Sequence, residues 1–82
     1  MAFIKADKLG RIVQILPSSP KEELNKEAVA ETLNFFRGQQ ISSSLRSCLS
    51  YLKTATLAAK GSKEAQQRIR EIRYSWNHHE EA

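Results

Sequence analysis

The 82-residue chain has one cysteine, three glycines, two prolines and no long apolar run. A lone cysteine excludes an internal disulfide framework. Cys48 falls at a core-facing helical position, where a thiol behaves as a small apolar residue and suits a reducing compartment. No uninterrupted apolar stretch approaches the roughly 20 residues needed to span a bilayer. The opening MAFIKADKLGR is broken by charge every few residues and lacks the apolar core of a signal peptide. These absences predict a soluble, cytoplasmic protein with no membrane partner.

Catalytic and ligand-binding patterns are also missing. There is no Gly-rich phosphate loop, no carboxylate pair on a rigid scaffold and no Ser/His/Asp order. His78 and His79 are adjacent and lack the spacing and supporting shell of a metal site, so they are read as an exposed tail. Cys48 lies between Leu45 and Leu52 with no histidine placed to activate it. A chain this short has little volume for a substrate pocket. The expectation is no enzyme, no catalytic residue, no metal and no cofactor.

What is present is helical. Ile41, Leu45, Cys48, Leu49, Leu52, Thr56 and Ala59 recur at spacings of three and four, which predicts a helix over 41–60. Ser42 to Ser44 offer N-caps, and Lys60 with Gly61 closes the helix. Ser62 then caps a helix over 62–77, with Glu64 in its first turn and a seam of Ala65, Ile69, Ile72 and Trp76. Residues 78–82 read as a flexible tail, and 1–77 as a single small helical domain.

At the N-terminus, FIKA and RIVQIL flank DKLG and predict a β-hairpin over 3–16. A helical reading of residues 3–9 competes with it. The second run has Ile12 and Leu16 on one face and Val13 and Ile15 on the other. The run DKLGRIVQILP resembles the D-x-x-G-R stretch of swapped-hairpin transcription regulators and antitoxins of the AbrB type. It departs from them in a later proline and in the acidic SPKEEL that replaces their following basic residues.

A first helix is expected over 20–37. Ser19 would be its N-cap, Pro20 its first residue and Glu22 the partner in an S-x-x-E capping box, with Gly38 as the stop. Its apolar residues form two stripes: Val29, Leu33 and Phe36, then Leu24, Ala28 and Phe35 roughly 100° away. Chains of this size bury only roughly 60–65% of their unfolded surface, and an isolated hairpin is marginal in water. Self-association is therefore expected, as a homodimer built on Ile12, Val13, Ile15, Leu24, Ala28 and Phe35. The fold class is mostly α: an N-terminal β-hairpin and three helices in a helical hairpin or bundle, completed by dimerisation.

The net charge of +4 is uneven. Residues 38–74 hold seven Lys/Arg against two Asp/Glu, whereas residues 1–37 hold six against five. Lys63, Gln67, Arg70 and Tyr74 follow an i, i+4, i+7, i+11 pattern opposite the third helix's seam. Arg46, Lys53 and Leu57 share the outer face of the second helix. The plainer reading of this surface is a solvated basic face with Tyr74 against a neighbouring subunit. The functional reading is a small interaction module (regulator, inhibitor or assembly factor) that binds a larger, acidic-surfaced protein through Lys53, Lys60, Lys63, Gln67, Arg70 and Tyr74. The alternative is a basic nucleic-acid-binding regulator using the same outer face. A helix-turn-helix reading fits less well, because the second helix is too long for the usual supporting helix.

Overall fold

Asp7 builds the turn that folds the N-terminal segment back on itself. Its Oδ1 accepts hydrogen bonds from the Leu9 and Arg11 amides at 2.9 Å each, and its Oδ2 accepts one from Arg11 Nε at 2.9 Å. The Arg11 amide contributes most to holding the Asp7 carboxyl below the usual carboxylate range. Gly10 adopts φ +77°, the left-handed region open to glycine, and donates its amide to the Asp7 carbonyl at 3.0 Å.

The computed structural model describes residues 2–81, with side chains described for 2–75. Strands β1 (Phe3–Ala6) and β2 (Ile12–Leu16) are followed by helices α1 (Lys26–Phe36), α2 (Ile41–Ala59) and α3 (Lys63–Glu81). Among the described residues the protein is thus mostly α, a hairpin followed by three helices, and Phe3–Ala6 form a strand rather than the competing helix.

The strands are antiparallel, with Ile4 opposite Ile15, Lys5 opposite Gln14 and Ala6 opposite Ile12. Val13 is left over as a bulge. That extra residue shifts the alternation by one, so Ile12 and Ile15 share the buried face instead of taking opposite faces as strict period two predicts. The loop Gly38–Gln40 lies along the free edge of β2. Ile12 donates to the Gln39 carbonyl and accepts from the Gly38 amide, both at 2.8 Å, and Ile41 donates to the Gly10 carbonyl at 2.8 Å. Gln40 Nε2 also donates to the Leu9 carbonyl at 3.1 Å.

α1 begins later than residue 20. Asn25 is its N-cap, accepting the Ala28 amide at 3.0 Å. Glu22 reaches back to the Ser18 amide at 2.9 Å rather than to Ser19, and Glu22 N–H donates to the Ser19 carbonyl at 3.1 Å. These bonds close a separate turn ahead of the helix. α1 stops at Phe36, where Arg37 N–H reaches the Leu33 carbonyl and Gly38 turns at φ +89°. Its buried line is Ala28, Thr32 and Phe36, which runs between the two expected stripes and leaves Val29, Leu33 and Phe35 half-buried along its edges; Leu24, expected in this helix, lies ahead of it and is half-buried. Thr32 is tolerated there because its hydroxyl donates to the Ala28 carbonyl at 2.7 Å.

α2 buries Cys48, Tyr51, Leu52 and Ala55. That face is turned roughly 50° from the one read from the sequence, given about 100° per residue. Leu45 is 41% exposed and Ala59 is exposed as well. The rotation brings in Tyr51, whose ring lies 5.3 Å from that of Phe35 and 6.0 Å from that of Phe36. Gln40 is the cap residue but makes no side-chain cap bond, and Ser42, Ser43 and Ser44 lie inside the helix rather than capping it.

Gly61 ends α2 at φ +106°, and Ser62 Oγ accepts the Ala65 amide at 3.2 Å to start α3. Ala65 and Ile69 are buried and Ile72 half-buried, as the seam requires. The helix runs to Glu81, beyond the expected end at residue 77 and through most of the segment read as a tail. Trp76, His78 and His79 lie outside the residues whose side chains are described. α2 is the hub: α1 and α3 both pack on it, and the hairpin sits against α1 and α2.

Candidate interaction surfaces of α2 and α3

Lys63, Gln67, Arg70 and Tyr74 all face solvent on α3, and Tyr74 is 64% exposed. Gln67 Nε2 donates to Glu71 Oε1 at 3.4 Å along the same helix. Lys60 is exposed at the end of α2, so Lys60 and Lys63 bracket the turn at Gly61. Arg70 has a second neighbourhood. With Arg73 it lines a cleft of about 450 Å³ opposite Glu27 and Glu31 of α1, over a floor that includes Ala28, Ala55 and Ala58. Arg73 forms an ion pair with Glu31 across this cleft, so part of α3's positive charge is answered within the chain.

Lys53 lines a second groove, of about 310 Å³, with Ala2, Leu24, Leu49, Leu52, Thr56 and Leu57. Leu57 also joins Gln67 and Arg68 of α3 in lining a neighbouring cleft. The six residues expected to bind a partner therefore lie on α2's groove side, at the turn between α2 and α3, and on the outer face of α3, surfaces that adjoin at Leu57. The crossing of the helices decides this, and spacing within one helix does not reveal it. The groove itself was missed, because Leu24 and Ala2 join Leu49 and Leu57 only in three dimensions.

The exposed face of α2 has a regular charge pattern. Arg46, Lys53 and Lys60 are all exposed and lie seven residues apart, and α2 contains no Asp or Glu. Leu57 beside them is 46% exposed.

Of the residues expected at a dimer interface, Ile12, Ile15 and Ala28 are buried within the single chain and offer no surface to a second copy. The bulge at Val13 and the placement of α1 turn them inward. Val13, Leu24 and Phe35 are half-buried.

The interior holds no activated nucleophile among the described residues. Burial pushes the Cys48 thiol up to about 11 and the Tyr51 phenol up to about 12, so both stay protonated near neutrality. No group of three His, Cys, Asp or Glu able to hold a metal forms among the described residues, and none of their helices is long and apolar enough to cross a membrane. No family model, curated protein or solved structure matches the chain. The D-x-x-G-R run that resembles AbrB-type regulators has a local explanation in the bonds Asp7 makes to Leu9 and Arg11.

Proposed function

We propose that the chain is a small cytoplasmic interaction module, non-enzymatic, that regulates, inhibits or helps assemble a larger protein with an acidic surface. One observation carries this reading. All seven Lys/Arg of residues 38–74 are exposed, and exposed Leu45, Leu57 and Tyr74 stand among them. Cations interleaved with apolar and aromatic side chains suit a protein interface, where apolar anchors supply affinity and charge supplies orientation. Nucleic-acid binding by the same residues is less favoured, because the ion pair with Glu31 neutralises Arg73 and the remaining cations are spread over two surfaces.

Titration with poly-glutamate and with a mixed-sequence DNA duplex, followed by amide NMR at low and high salt, tests the reading. Shifts in α2 and α3 on adding poly-glutamate, with weaker response to the duplex, are expected. Tighter binding to the duplex, with an affinity that falls steeply with salt, would move the assignment to nucleic acid. Silence toward both would remove the acidic-partner reading.

A further inference from the structure

The groove beside α2 has walls of different character. Leu24 and Ala2 form one side, Leu49 and Leu57 lie along α2, and Lys53 stands on the rim. Lys60 follows Lys53 by seven residues, two helical turns or about 10 Å along the axis. Arg46 precedes it by the same interval and also lines the cleft between α2 and α3 beside Glu71. A heptad interval of cations beside leucines matches the way one helix reads another: apolar residues meet in the seam and opposite charges pair along its edge.

We propose that this groove takes an acidic amphipathic helix of the partner protein, its apolar residues seated over Leu49 and Leu57 and its carboxylates meeting Lys53 and Lys60. The inference rests on the reading of the chain as an interaction module and names the surface and the form of the partner. Charge complementarity selects the occupant. With no Asp or Glu in α2, two copies docked α2 against α2 would set lysine against lysine, so a homodimer through that helix face is disfavoured. A nucleic acid would leave Leu49 and Leu57 without apolar partners.

The probe is a fluorescent peptide of about four heptads with leucine at the seam positions and glutamate at the flanking ones. A control peptide keeps its composition in scrambled order. Fluorescence anisotropy is read on the full chain and on Lys53→Glu, Leu57→Asp and the pair Arg70→Glu/Tyr74→Ala. All four positions are exposed, and the melting curve of each variant checks its fold. The heptad peptide is expected to bind more tightly than the scrambled one. Lys53→Glu and Leu57→Asp should each weaken it by about tenfold or more, and the α3 pair should weaken it less than either.

Loss of binding only in the α3 pair would overturn the groove assignment while leaving the interaction-module reading intact. Equal binding of both peptides would overturn it in the same way. Absence of heptad-peptide binding up to about 1 mM alongside a response to poly-glutamate would also reject the groove alone. Silence toward every acidic probe would reject both. Capture of the chain by anionic vesicles or by duplex DNA, lost in Lys53→Glu while the heptad peptide fails to bind, would reassign the groove to that ligand.

Discussion

Arg73 on α3 and Glu31 on α1 form an ion pair across the cleft that separates these helices. Arg73 is exposed, so solvent screens the attraction. Arg73→Ala is expected to lower stability by about 1 kcal/mol or less, and by less still at high salt. A double-mutant cycle with Glu31→Ala in urea measures the coupling. A coupling above about 2 kcal/mol would mean the pair governs how α1 and α3 are set on α2.

Phe36 is buried against Tyr51, whereas Leu33 is half-buried. Phe36→Ala should lower stability by about 3–5 kcal/mol, a large part of the roughly 5–15 kcal/mol of a typical domain. Leu33→Ala should be milder. Leu33→Asp should still destabilise the chain, because it sets a charge against the edge of the core. Urea midpoints compare the three, and a larger effect at Leu33 than at Phe36 would place the seam on the Val29–Leu33 stripe.

Gly10→Ala should destabilise the hairpin by about 1–2 kcal/mol, since a side chain is strained at positive φ. Its Cβ would also lie 3.0 Å from Gln40 Oε1, the end of a flexible side chain. Adding Gln40→Ala removes that contact but not the strain, so the double variant should remain less stable than Gln40→Ala alone. Equal melting temperatures for those two would show that crowding, not backbone conformation, requires glycine.

Cys48 and Tyr51 should make the fold sensitive to alkali. Burial raises the thiol from 9.0 to about 11 and the phenol from 10.0 to about 12. In those windows the unfolded chain has released protons that the native chain still holds, so stability, intact below pH 9.0, falls as pH rises. Native protein should be inert to a thiol reagent at pH 8 and react on addition of urea. Rapid modification of the folded chain would contradict the burial of Cys48.

Much of the fold was legible because its signals are local. Asp7 and Gly10 mark the hairpin turn, glycines 38 and 61 mark helix ends, and Ser62 marks a helix start. The start of α1 was not, because Ser18, Ser19 and Asn25 are all competent caps and Glu22 bonds to Ser18. Strand facing failed at Val13, where one bulged residue reverses every face assignment before it. On α2, Leu45 and Thr56 suggest a buried face that Tyr51 displaces, since its large ring fits between Phe35 and Phe36. The outer face of α3 followed from the spacing of Lys63, Gln67, Arg70 and Tyr74. The placement of Lys53 relative to them depends on how the helices cross, which no single helix encodes.

The main-chain bonds between the hairpin and the Gly38–Gln40 loop have a consequence for cooperativity. The Gly10 carbonyl receives the Ile41 amide, so the hairpin turn supplies at the start of α2 a bond that the Gln40 side chain does not. Ile12 meanwhile is tied through both of its backbone groups to the junction of α1 and α2. Opening either the strand or the start of the helix at this point breaks bonds that the other shares. The amides of Ile12, Gly38 and Ile41 should therefore exchange as one unit, with the N-terminal hairpin as the clasp that closes the junction of the helices.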